Sequence, residues 1–151
     1  EDQVRHMFGQ VSGVAAEDGL HLDFETTIAA NTFDAHRLVH LAGADTERGG
    51  RVVRALYRAH FEDGRRIDDI DELAAIGAAE GLDAGEVRAT LAVTDTGSAE
   101  AVRDDEQAAT GLGVSGVPFF VADRKYAVSG AQPVEVLTTL LQTAFDGPQD
   151  D

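Results

Sequence analysis

Cysteine is absent from the 151-residue sequence, so within it there is no disulfide, no thiolate zinc site and no cysteine nucleophile. Proline is scarce, three in all, and none precedes Pro118; only glycine punctuates the first three quarters of the chain. Basic residues are in short supply, twelve against twenty-eight acidic ones, for a net charge of −16. Such a charge repels a nucleic-acid backbone or an anionic membrane over most of the surface, so neither is expected as a partner. No apolar run approaches the ~18 residues of a membrane span. The opening Glu1-Asp2-Gln3-Val4-Arg5 reads as the middle of a longer chain rather than as a signal peptide.

What is present describes an ordinary folded domain. Apolar residues make up 43% and charged residues 26%, and the length suits one domain with a real core. Asp (17) outnumbers Glu (11), and Arg (11) nearly replaces Lys, of which Lys125 is the sole example. Two readings of this bias stand side by side: GC-rich codon usage with a solvated acidic surface, or adaptation to high salt, where self-repulsion is screened.

The periodicity is mostly helical. Val4, Met7, Phe8, Val11, Val14 and Ala15 recur at helical spacing, with Gly19 as a stop. Leu20, Leu22 and Phe24 alternate with polar neighbours and predict a short extended piece. Asn31 or Thr32 can cap a helix carrying Phe33, Leu38, Leu41 and Ala42 up to Gly43. Val52 to Phe61 mark another, ended by Gly64. Asp69 with Glu72, and Asp83 with Glu86, are capping-box-like starts in an acidic variant. The first leads a helix through Ala79 and the second one through Leu91, with Val93 a candidate extension. Ser98 is a candidate cap for a helix through Val102 and Ala109 to Leu112.

Then the texture changes. Gly113-Val114-Ser115-Gly116-Val117-Pro118 cannot be helix. Phe119-Phe120-Val121 and Tyr126-Ala127-Val128 predict a hairpin about an Asp123-Arg124-Lys125 turn, and Pro133 opens a last helix through Phe145. Two short strands cannot form a stable sheet alone. The first is apolar on both faces, as a central strand covered on both sides would be.

Most chemical motifs fail on context. His36 and His40 share a helix face, but the glutamate of an HExxH site is missing, and no metal is expected. No serine lies in a GxSxG elbow. Gly111, Gly113 and Gly116 match a dinucleotide fingerprint by letter, yet they follow a helix and precede a strand, the reverse of what that site needs. Pro118, read from composition alone, is a strand-start proline.

Two long, ordered segments nevertheless point to a family. Asn31-Thr32-Phe33-Asp34-Ala35-His36-Arg37-Leu38 is one, and Val114-Ser115-Gly116-Val117-Pro118-Phe119-Phe120 with Tyr126-Ala127-Val128-Ser129-Gly130-Ala131-Gln132-Pro133 is the other. Together they resemble the FrnE-type branch of the DsbA-like thioredoxin superfamily, from about Gln3 to Phe145. The resemblance implies an α/β, thioredoxin-like fold of DsbA type, mostly helical, with a helical insertion. It implies a single domain over 1–147, with roughly 31–112 as the insertion, 113–146 as the closing strand–strand–helix of the core, and 148–151 as a tail. Its activity would be thiol–disulfide exchange by a CxxC dithiol facing a cis-proline, here Pro118. Val117 would pair through its backbone with a thiol-bearing peptide, a form of strand addition.

The opening β-α-β unit and the CxxC have no counterpart in these residues. The chain is therefore expected to be a piece of a longer enzyme, to borrow the missing half from another chain or a swapped protomer, or to be a degenerate member kept for binding. The expected substrate-binding positions are Val117, Pro118, Ser129 and Gly130, with Asn31 and His36 open to a structural reading as well as a functional one. Thr32 and Asp34 are expected to be structural, through capping and through pairing of Asp34 with Arg37 or His36. No cofactor is expected, although glutathione is a possible substrate; the absence of an acidic residue after Gly130 weakens that reading. Partners would be a thiol- or disulfide-bearing peptide or small thiol, with a homodimer possible and a cytoplasmic setting. Two rivals remain: a glutathione-dependent isomerase of small aromatic or polyketide compounds on the same fold, and a non-catalytic binding module.

Overall fold

The computed structural model describes residues 2–43, 46–94 and 96–147. The order is α1 (Asp2–Glu17), α2 (Phe33–Ala42), α3 (Glu47–Phe61), α4 (Ile70–Ala79), α5 (Ala84–Leu91), α6 (Gly97–Gly111), β1 (Phe119–Ala122), β2 (Tyr126–Ser129) and α7 (Val134–Asp146). Two compact units are present, Glu1–Arg103 and Asp104–Asp151, and the division falls inside α6. None of the described helices is long and apolar enough to cross a membrane.

The first unit is helical, and its starts and stops are written locally. The Asp69 carboxylate accepts the N–H groups of Asp71 and Glu72, and that of Asp83 accepts the N–H of Glu86, so both acids cap the helices that follow. Thr46 does the same for α3 through the N–H of Gly49. Glycines in the left-handed region follow the ends, at Gly43, Gly64 and Gly81. The core between α2, α3, α4 and α5 is built from Leu38, Val52, Leu56, Leu73, Ile76, Val87 and Leu91, all buried. Small residues let the helices approach: a Cβ added at Gly77 would lie 3.1 Å from Leu38 Cδ1 and 3.2 Å from Leu82 Cδ1.

Four local expectations need correction. The segment Leu20–Phe24 is not a strand: Leu20 to Asp23 are irregular and a turn follows over Phe24–Thr26. Asp23 Oδ1 accepts the N–H groups of Glu25 and Thr26, and the Thr27 N–H returns to Asp23 O, so the backbone is bonded to itself. The apolar alternation there serves aromatic packing instead, with Phe24 stacked on Phe8 at 4.5 Å and edge-on to Phe61 at 6.2 Å. Ser98 does not cap α6; that helix begins at Gly97, and the Ser98 hydroxyl receives Arg37 Nε at 3.3 Å. Pro133 is the N-cap of α7 rather than its first residue, and Val93 lies beyond the end of α5.

The second unit holds the hairpin and its helix. β1 and β2 pair antiparallel with Phe119 opposite Ser129 and Ala122 opposite Tyr126. Asp123, Arg124 and Lys125 connect the paired ends; Asp123 and Arg124 both have φ near +50° (52° and 53°), and the Lys125 N–H returns to Ala122 O at 3.2 Å. The helix α7 packs on both strands and buries Leu140. Among the described residues the sheet has these two strands alone. Phe120, Val121, Val134, Leu141 and Phe145 stay exposed, Phe145 at 82%.

Candidate functional site

In the second unit, four of the six expected positions meet at the open end of the hairpin. The Val117–Pro118 peptide bond is cis. Pro118 O accepts the Gly130 N–H at 2.8 Å, which ties the entry of β1 to the exit of β2. Gly130 sits at φ +84°, a conformation that a side chain would strain. The Gln132 side chain donates to Ser129 O at 2.8 Å and holds the segment that leads into α7. Against this fixed frame Val117 stands out, 89% exposed. The arrangement presents one backbone unit and an apolar strand edge to solvent, the elements of main-chain recognition.

Asn31 and His36 belong to the first unit, at the start of α2. Asn31 Oδ1 accepts the Phe33 N–H at 2.9 Å, whereas Thr32, the N-cap residue by position, makes no side-chain cap bond. Asn31 therefore has a structural task. His36 is exposed and lines a cavity of about 200 Å³ with Thr32, Val39, Leu56, Tyr57 and His60. His60 Nδ1 is buried without a hydrogen-bond partner. Nothing in the sequence singled out His60 or Tyr57, because their meeting with His36 depends on how α3 lies against α2.

The residue that sequence reasoning undervalued is Arg37. It is only 1% exposed. Its guanidinium donates to Asp34 Oδ1 at 2.7 Å, to Leu91 O at 3.1 Å, to Thr90 O and Val93 O at 2.7 Å each, to Thr96 Oγ1 at 3.1 Å and to Ser98 Oγ. One side chain thus bonds the carbonyls at and just beyond the C-terminal end of α5 and joins that end to α2 and to the start of α6. A cation there also complements the helix dipole. The expected pairing of Asp34 with Arg37 is present. Phe33 of the same segment receives Arg103 over its ring at 5.6 Å. Much of the first signature is accordingly a device for folding the helical unit.

The sequence matches the DSBA-like thioredoxin domain family over residues 1–142. Among solved structures it is similar to the crystal structure of a probable DsbA oxidoreductase from Streptomyces coelicolor, at 41% identity and a TM-score of 0.89, covering 99% of this chain. The chain spans 63% of the length of that protein. No curated protein matches it.

Proposed function

We propose, from the premise that this chain belongs to the DsbA-like thioredoxin family, that it is the substrate-holding part of a thiol–disulfide oxidoreductase whose dithiol lies outside these 151 residues. The observation that carries the reading is the hairpin's open end. Val117 is almost wholly exposed at the entry to an apolar strand, and the Pro118–Gly130 hydrogen bond fixes the backbone around it. A thiol-bearing peptide laid along Val117 would be held by main-chain bonds, with little demand on its sequence. The exposed apolar residues of β1 and α7 support a covering segment elsewhere in the full protein.

The reaction would be an exchange. A substrate thiolate attacks one sulfur of the enzyme disulfide and forms a mixed disulfide, releasing the second enzyme sulfur as thiolate. A second substrate thiol then displaces the enzyme. Two substrate thiols become one disulfide, and the enzyme disulfide becomes a dithiol, with two electrons passed and no other oxidant in that half-cycle. A small thiol such as glutathione would serve in place of a peptide.

A second reading, a binding module without redox chemistry, is favoured by one observation, the absence of cysteine from this sequence. Intact mass and thiol titre of the protein isolated from its own source separate the two. A species longer than 151 residues with two titratable thiols, trapped by a thiol peptide as a mixed disulfide, is the expected result. A native mass equal to these 151 residues, with no thiol, would overturn the oxidoreductase reading and leave the binding role.

A further inference from the structure

The chain has twenty-eight acidic residues and twelve basic ones, and among the described residues two arginines of α3 stand in it without an ion pair. On and beside α3, Arg51 pairs with Glu80 and Glu47, Arg65 with Glu72 and Arg66 with Asp68. Arg54 and Arg58 do not: among the described residues neither has an ion pair, although Glu62 follows Arg58 by one helical turn. The two are four apart on one face of α3, where like charges repel. They flank a cavity of about 360 Å³ whose apolar wall is Leu20, Leu22, Tyr57 and Phe61, with Glu62 also at its edge. That volume falls within the range of small-molecule sites, and an apolar wall with a few convergent charges is their usual composition.

We propose that this cavity binds a small carboxylate with a flat apolar body, such as an aromatic monocarboxylate. The body would lie on Tyr57 and Phe61 and the carboxylate would meet the Arg54 and Arg58 guanidinia, whose geometry suits a carboxylate. Glu62 disfavours a dianion, so one negative charge is preferred. The site is selective by sign on a molecule whose net charge of −16 otherwise repels anions. It does not rest on the thiol chemistry, and it would stand if that chemistry failed.

The test is calorimetric titration of the full-length protein with benzoate, and with benzyl alcohol as the neutral counterpart. Benzoate is expected to bind saturably, and benzyl alcohol at least roughly tenfold more weakly. Arg54→Gln and Arg58→Gln, both at exposed positions, are each expected to weaken benzoate roughly tenfold while helix content and the melting temperature stay as they are. Salt should weaken benzoate and leave benzyl alcohol unchanged. No saturable binding of benzoate, or binding that both variants leave intact, overturns the proposal. Nitrogen-15 chemical shifts that move on α3 around Tyr57 with benzoate support it; shifts confined elsewhere also overturn it.

Discussion

At the scale of single residues, Arg37 decides most. Removing a hydrogen-bonded charge from a buried network strands its partners, here the Leu91 and Val93 carbonyls and Asp34. Arg37→Met is therefore expected to cost about 3–5 kcal/mol of stability, read as a lowered midpoint in urea. Arg37→Lys keeps the charge but loses the planar fork, so it should recover only part of that loss. The sequence showed the motif but not this role. Arg37 reads as a surface residue between Ala35 and Leu38, and its partners Thr90, Leu91 and Val93 lie more than fifty positions away. Asp34 was legible because its partner is one turn along the same helix. On the surface, the Arg66 hydrogen bond holds the Asp68 carboxyl below its ordinary value. The contribution of that pair is thus present above the ordinary carboxylate range and lost as pH falls through the depressed value. A carbon-13 titration of the Asp68 carboxyl should show its midpoint below that of a free aspartate.

At the scale of elements, what could be read was whatever the local chain states outright. Asp69 and Asp83 announce helices that the structure caps with those side chains, and the glycine stops fall where the backbone turns left-handed. The misreading at Leu20–Phe24 has a physical cause. Period-two alternation also arises when a turn aims alternate apolar side chains at a neighbouring aromatic cluster, and an Asx turn at Asp23 supplies the bonds a strand would need. Two substitutions probe the connections. Gly64 sits at φ +60°, and an added Cβ would meet Thr26 O at 2.8 Å. Gly64→Ala should therefore destabilise by more than the ~1 kcal/mol of a left-handed residue alone, and thermal unfolding would show it. In the hairpin, Arg124 occupies a left-handed position at φ +53°. Arg124→Gly removes the steric cost of that position and should raise stability by roughly 0.5–1 kcal/mol; a melting temperature equal to or below the parent's would contradict this.

At the scale of the whole molecule, two properties set behaviour in solution: exposed apolar surface and charge. The hairpin was readable as a hairpin, but the apolar character of Phe119–Val121 read as that of a central strand covered on both sides, whereas among the described residues the strand pairs with β2 alone and leaves Phe120 and Val121 exposed. What the sequence could not give was the open end of the site, since the contact of Pro118 with Gly130 spans the hairpin and follows from its register. An apolar strand with an unpaired edge favours self-association. The 151-residue chain should therefore bind a hydrophobic dye and sediment as more than a monomer. Charge works in the opposite direction. With a net charge of −16, self-repulsion destabilises the compact state and is screened only when the Debye length falls from about 30 Å at 0.01 M to about 3 Å at 1 M salt. An acidic surface adapted to salt should melt at a steadily higher temperature across that range, with sodium chloride and potassium chloride alike. A solvated acidic surface that merely reflects codon usage should gain little beyond about 0.15 M, where the Debye length has already dropped to about 8 Å. The excess of Asp over Glu and the near-absence of Lys are compatible with both origins, and the shape of that melting curve above 0.15 M distinguishes them.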